Sequence, residues 1–326
     1  MKIRVAVVYG GRSGEHEISL RSAETVIRSL DPERYKVIHY FIDKEGRWKP
    51  RAIVPEPNGN PEIDVVFPVL HGTFGEDGTI QGLFEMAGLP YVGCGVLASS
   101  LAMDKEMAKR VLAGHGVATA EYVTVFRENL DPAAALRELT FPMFVKPANL
   151  GSSVGITKVR NEAELRAGLV EAAQYDRKLI VERGIIGLEL ETAVLGNDAP
   201  QATIPCQIIP SREFYDYEDK YLLDKARIVL PAPIGEEKTA ELRKIAVKAY
   251  EALGCEGMAR VDFLLEETTG KLYLNEVNTI PGFTSISMYP KMWGNMGLPI
   301  EKLVDRLIEL ALERDKAKNA TKYSKQ

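Results

Sequence analysis

The stretch MARVDFLLEETTGKLYLNEVNTIPGF, residues 258–283, constrains this chain more than any other. Apolar runs on either side of EETTGK read as two antiparallel strands joined by a tight turn. A turn centred on Thr269 sets Asp262 directly opposite Glu276, with the two carboxylates about 5 Å apart. Alternation along the strands places Arg260 on the face of Asp262 and Asn278 on the face of Glu276. Like charges directly opposite one another destabilise a strand pair unless something compensates them. A solvated outer face is one such arrangement. A bound cation is the other, and it gives a reason for Arg, Asp, Glu and Asn to share one face. Oxygen donors without His or Cys favour Mg²⁺ or Mn²⁺ over zinc, and Mg²⁺ fills its shell with substrate phosphates. The hairpin therefore asks for a Mg²⁺–nucleotide.

A second stretch asks for the same ligand. In FVKPANLGSSVGITKV, residues 144–159, Lys146 sits in an apolar run and is followed by a loop of small residues. Alone, the loop reads as a surface hairpin. Beside a lysine it reads as a phosphate cover, because small residues let backbone N–H groups approach an anion. It is no P-loop, since Ile156 stands where the lysine after the second glycine belongs. The Gly10–Gly11–Arg12–Ser13–Gly14 turn likewise fails the dinucleotide spacing, because Tyr9 holds the first glycine's place, although Asp43 ends the second strand as a ribose-binding acid would. A strand–loop–strand flap over a nucleotide is what remains.

Around these motifs, Ile3 to Tyr9, Lys36 to Ile42 and Asp64 to Leu70 read as strands. Helices are expected up to Leu30 and from Thr79 to Ala87. This alternation implies parallel βαβ units, an open α/β sheet and ligands at the carboxyl ends of its strands, where Glu15 and His71 fall. Asp104 is expected to cap a helix reaching Gly114 or Gly116. Short strands follow at 121–125, 143–146 and 155–159, with a helix near 162–173. IVERGIIGLELETAVLG supplies two more strands around a turn, and helices are expected over 236–253 and 300–314. The Lys-rich residues after them read as a frayed tail.

The 326 residues suit two or three domains, and 45% hydrophobic with 27% charged residues suits a soluble protein with a core. A net charge of −5 argues against a nonspecific grip on nucleic acid or an anionic membrane. Cys94, Cys206 and Cys255 form no CxxC pair, which fits a reducing compartment. The opening MKIRVAVVYGG is too short an apolar run for a signal peptide, and no stretch is long enough to span a membrane, so a cytoplasmic location is expected.

The motifs GGRSGEHEISL, LHGTFGEDG, MDK, FVKPANLGSSVGI, FYDYEDKY, MARVDF and LNEVNTIPGFTSISMYP together resemble the D-alanine–D-alanine ligases of the ATP-grasp superfamily, from Lys2 to about Arg314. The resemblance implies an α/β (α+β) fold: an N-terminal open parallel, Rossmann-like domain (1–102), a small central domain (103–187) and a larger C-terminal domain (188–315). The last would carry a mobile lid (211–230), followed by a polar tail (316–326). It also implies ATP- and Mg²⁺-dependent joining of two D-alanines through D-alanyl phosphate, for peptidoglycan synthesis, by a homodimer using two magnesium ions, with Mn²⁺ able to substitute.

The roles implied are as follows. Lys105, Lys146 and Lys220 would contact the ATP phosphates beneath Ser152 and Ser153. Glu182, Glu189, Arg183 and Ile185 would surround adenine and ribose. Asp262, Glu276 and Asn278 would hold metal. Arg260 and the Gly282 N–H would stabilise the tetrahedral intermediate. Glu15, in a network with Ser152 and Tyr221, would bind the first D-alanine's ammonium near His71; Ser287 and Met288 would hold the second D-alanine's carboxylate. With no phosphoenzyme nucleophile, transfer would run directly between bound ligands, and the Tyr215–Lys225 segment would close to exclude water.

Plainer readings stand beside these. Glu15 also suits a helix-capping acid, His71 a satisfied core histidine, and FYDYEDKY a partner-binding loop. Trp48 and Trp293 read as packing; His16, His39 and His115 share no ligand spacing. Tyr221 supports an amine acceptor over D-lactate, whereas D-serine stays open. A noncatalytic nucleotide-sensing module is expected to lose metal or anion ligands, and all are present here. A nicotinamide-dependent oxidoreductase is disfavoured by the broken glycine spacing.

Overall fold

A computed structural model describes residues 1–210 and 227–322. The expected parallel sheet forms first. Strands Tyr35–Ile42 and Val65–Val69 flank Ile3–Gly10 in parallel, and the short Trp48–Lys49 adds an antiparallel edge. Val5 to Val8 are wholly buried because helices and core cover both faces, which is why this strand is a continuous apolar run. Neighbours on both sides of Ile3–Gly10 make its carboxyl end a switch point, where a crevice opens. Gly10, the following turn and helix His16–Ser29 stand at that crevice.

The next sheet is antiparallel, in the order Tyr122–Phe126, Lys178–Arg183, Met143–Pro147, Thr157–Val159. Helix Glu162–Ala172, capped by the Asn161 side chain, contributes Leu165 and Leu169 to its core. The small-residue loop joins Met143–Pro147 to Thr157–Val159, so the strand–loop–strand flap is present, its second strand starting two residues later than expected.

The two strands of IVERGIIGLELETAVLG do not pair with each other. Lys178–Arg183 belongs to the second sheet and Gly187–Leu195 to a third, so the turn at 184–186 carries the chain between them. The third sheet runs Arg227–Val229, Cys206–Ile209, Gly187–Leu195, Met258–Glu266, Leu272–Asn278. Residues 227–229, the far end of the segment expected as a lid, are thus a strand of this sheet.

Helix Glu236–Ala252 covers one face of the third sheet through Leu242, Ala246 and Tyr250. On the other face, Ala193 and Met258 share a core with Val5, Val65 and Phe67 of the first sheet and with Trp293, Val304 and Leu307 of helices Met288–Asn295 and Ile300–Asn319. Trp293 is therefore packing, and the Trp48 ring lies edge-on to Tyr40. The last helix runs to Asn319 rather than fraying at Arg314. Arg314 donates to the carbonyls of Tyr91 (2.7 Å) and Gly93, and Lys318 pairs with Glu85, so contacts with the N-terminal segment hold the final turns. Among the described residues no helix is long and apolar enough to cross a membrane.

Candidate active site

The hairpin that dominates the sequence has the expected register at its functional end: Arg260 faces Asn278 and Asp262 faces Glu276. Directly opposed residues of an antiparallel pair point to one face. Arg260 Nε and Nη2 donate to the two oxygens of Asp262 at 2.7 and 2.6 Å, the two-pronged geometry a guanidinium makes with a carboxylate.

Asp262 also faces Glu191 on the other side, so Glu191, Asp262 and Glu276 form a row of acids across three strands. This concentration of oxygen donors fits a divalent cation of the Mg²⁺ type. Among the described residues no group of three or more His, Cys, Asp or Glu is gathered closely enough to hold a metal alone.

Two adjoining cavities open here. The first is lined by Glu15, His71, Arg260, Asn278, Gly282, Ser287 and Met288. The second is lined by Lys146, Ser153, Glu182, Arg183, Ile185, Glu189 and Asp262. Lys105, Gly151, Ser152, Glu191 and Glu276 line both. Every site residue expected from the sequence and described in the structure therefore lines one cavity or the other. Lys220 and Tyr221 lie outside the described residues, as does the rest of FYDYEDKY.

The Glu15 side chain makes no capping hydrogen bond to helix His16–Ser29; instead its carboxylate accepts from the Ser152 hydroxyl. The flap is thereby tied to the first sheet's crevice. Ser152 and Ser153 have φ of 53° and 58°, left-handed backbone that non-glycine residues adopt at a cost of about 1–3 kcal/mol.

His71 is both a satisfied core histidine and a wall of the first cavity. Its Nδ1 lies 3.0 Å from the Ile280 carbonyl and its Nε2 3.0 Å from the Ser22 hydroxyl. Burial works against its protonation, but the nearby Glu76 and Glu15 carboxylates outweigh burial and raise its pKa. Glu76, in the same loop, was not singled out from the sequence; burial, aided by the Glu15 charge and opposed by His71, pushes its carboxyl up to about 7.

The lysines separate into two kinds. Lys105 opens the helix capped by Asp104, and its ammonium donates to the Leu150 carbonyl at 2.6 Å, beneath the flap. Lys146 instead pairs with Glu182 at 2.5 Å, and Lys109 reaches the other Glu182 oxygen at 2.9 Å. Expected beside adenine and ribose, Glu182 lines that cavity with a carboxylate engaged by two cations. Lys105 and Lys109 stand one helical turn apart on a buried face, the one sequence signal for Lys109. Arg183 is similarly engaged, by Glu121 at 2.6 Å and Glu266 at 2.8 Å, and so fastens the second sheet to the third.

Burial alone would raise the Glu182 carboxyl, but Lys109 and Lys146 bring it from 4.5 to about 2. A carboxyl held low contributes stability that is complete above 4.5 and is lost as pH falls toward 2. Glu182→Gln is accordingly expected to cost about 3 kcal/mol at pH 7. Denaturant unfolding of both proteins at pH 7 and pH 3 would measure this; a difference that does not shrink at pH 3 would contradict the ion triad.

The chain matches the family model described as D-ala D-ala ligase N-terminus over residues 4–60 and 51–94, and that described as D-ala D-ala ligase C-terminus over residues 111–309. A D-alanine--D-alanine ligase of Solibacter usitatus (strain Ellin6076) is 61% identical, covering 100% of both chains. One of Thermoanaerobacter sp. (strain X514) is 49% identical, covering 96% of this chain and 97% of its own. Among solved structures, the D-alanine-D-alanine ligase from Coxiella burnetii superposes with a TM-score of 0.87 at 37% identity, over 98% of this chain and 96% of its own. The VanG D-Ala:D-Ser ligase from Enterococcus faecalis has the same TM-score and identity, over 95% of this chain and 100% of its own. With both halves matched in order and the hairpin, flap and crevice converging on one pair of cavities, the chain belongs to the D-alanine–D-alanine ligase family and has its ATP-grasp fold.

Proposed function

We propose that this chain joins two D-alanine molecules at the expense of ATP, giving D-alanyl-D-alanine, ADP and phosphate for cell-wall synthesis. The observation that carries the proposal is the wall formed by Lys105, Gly151, Ser152, Glu191 and Glu276, common to a cavity lined by Lys146 and a cavity lined by Glu15. A nucleotide in the second cavity and an amino acid in the first would meet across that wall.

A carboxylate is a poor acylating agent, and attack of one anion on another needs charge screening. Magnesium ions held by Asp262, Glu276 and Asn278, two in number by the family's pattern and replaceable by manganese, would neutralise phosphate charge there. Lys105 and Lys146 place further positive charge along the phosphates, with the small residues of the flap above. Ile185 and Glu189 also line the second cavity and would border the base and ribose. Glu15 is a fixed anion for the first substrate's ammonium, and His71 forms the wall behind it.

The second substrate must present a neutral amine to the activated acyl carbon. Met288 begins a helix capped at Ser287, and its first-turn N–H groups, those of Met288 and Tyr289, suit a carboxylate. Arg260 and the Gly282 N–H then face the developing oxyanion, stabilising it by preorganisation. Tyr221 and Lys220 would complete the site from a closing segment. A cytoplasmic homodimer is the form we expect.

D-serine or D-lactate as second substrate, or a noncatalytic nucleotide site, are the alternatives. Tyr221 speaks against D-lactate, and the intact set of Arg260, Asp262, Glu276 and Asn278 speaks against lost catalysis. The test is phosphate release from ATP and Mg²⁺ with D-alanine alone, L-alanine alone, or D-alanine with D-lactate or D-serine. D-alanine alone is expected to stimulate release and yield the dipeptide. Stimulation by L-alanine alone, or none by D-alanine, would overturn the assignment.

A further inference from the structure

Glu191 is given no chemical task in the scheme above, yet it lies on the wall between the two cavities and is only 7% exposed. Strand pairing sets it directly opposite Asp262, which in turn faces Glu276. A third acid, buried like Asp262 and in line with the half-buried Glu276, adds repulsion, so its presence calls for a compensating cation. Arg260 is near: its Nε lies 3.4 Å from Glu191 Oε2 while the same guanidinium holds both oxygens of Asp262.

That arrangement sets a conflict. A divalent ion at Asp262 needs at least one of the oxygens that Arg260 engages. Releasing a buried guanidinium N–H with no second acceptor would leave it desolvated and unsatisfied, a penalty the ion would have to overcome. We infer that Glu191 is a positioning residue, the acceptor to which Arg260 transfers when Asp262 turns to the metal. Arg260 then remains in the wall of the first cavity, beside the reacting acyl group, and does not compete with the ion. This rests on reading Asp262 and Glu276 as metal ligands.

The test is binding of Mn²⁺, followed by electron paramagnetic resonance, to the protein carrying the β,γ-imido analogue of ATP. Glu191→Gln keeps the shape and removes the charge. It is expected to weaken Mn²⁺ binding about tenfold, equivalent to about 1.4 kcal/mol. In an Arg260→Met background the same substitution is expected to change affinity less than about twofold, because no guanidinium remains to transfer. Should Arg260→Met not fold, Arg260→Lys, which loses the two-pronged geometry, is the background, and the effect is expected to shrink likewise.

An equal loss in both backgrounds would make Glu191 a simple source of negative charge and overturn the inference. An unchanged affinity with only a lowered melting temperature would make it a packing residue and overturn it too. Asp262→Asn distinguishes failure of the underlying reading: if that variant binds Mn²⁺ as tightly as the wild type, Asp262 is not a ligand and both fall together.

Discussion

Glu276→Gln is expected to lower kcat about a thousandfold or more while leaving the fold intact and the melting temperature unchanged or higher. The two effects have opposite signs for one reason. Glu276 faces Asp262 across the hairpin, and like charges so placed cost roughly 0.2–1 kcal/mol, which the neutral amide relieves. The same pair of charges is what a divalent ion and the transferring phosphoryl group need. Removing one weakens the field acting on a transition state in which charge passes between two cavities that both touch Glu276. A loss of about 4 kcal/mol of transition-state stabilisation corresponds to that thousandfold. Phosphate release and thermal unfolding of the same preparation, the latter with chelator present, measure both effects. Wild-type turnover would remove Glu276 from the metal site; a large fall in melting temperature would make it a structural residue.

The hairpin also marks where sequence reasoning succeeds and where it stops. Strand alternation and a short turn suffice to oppose Asp262 and Glu276. Nearer the turn, however, Phe263 pairs with Leu274 and Leu265 with Leu272, one residue out of step with a turn centred on Thr269. The extra residue at Asn275 absorbs the difference, so two departures from symmetry cancel at the functional end. Asn275, a polar residue directly before the polar Glu276, breaks the strand's apolar–polar alternation and is the local mark of the bulge. Its side-chain oxygen lies 3.5 Å from Lys146 Nζ, a contact visible only once the two sheets meet.

Helix starts were legible where a side chain caps them. Asp104 accepts from the Met107 N–H at 3.1 Å, as its position suggested. The end of the last helix was not legible, because its final turns are held by residues more than two hundred positions away, among them Tyr91. The same limit explains the missed residues. Lys109 and Glu191 take their character from groups on other elements, Glu182 and Arg260 respectively, and Glu76 takes its own from the burial that sets it beside His71 of the same loop. Glu191 shares a strand face with Glu189, but only the pairing of its strand with the hairpin brings it to Asp262.

Glu15→Gln should raise the KM for the first D-alanine about a hundredfold with little change in unfolding temperature. A side chain that capped its helix would cost about 1 kcal/mol when altered. The Glu15 carboxylate makes no such bond and is directed at Ser152, whose hydroxyl a glutamine oxygen can still accept from, and the interaction with the helix dipole is modest. What disappears is a fixed negative charge in a cavity walled by buried groups. A charge-assisted contact with an ammonium there contributes about 3 kcal/mol, hence the hundredfold. Ser152→Ala supplies the control, because it cuts the tie between flap and crevice while keeping the charge. If Glu15 acts by recognising the ammonium, Glu15→Gln has much the larger effect on the KM for D-alanine, and Ser152→Ala acts more on the KM for ATP through the flap. Equal effects of the two substitutions on both constants would mean that Glu15 serves only to anchor the flap, and the first substrate's ammonium would have to be bound elsewhere in the cavity.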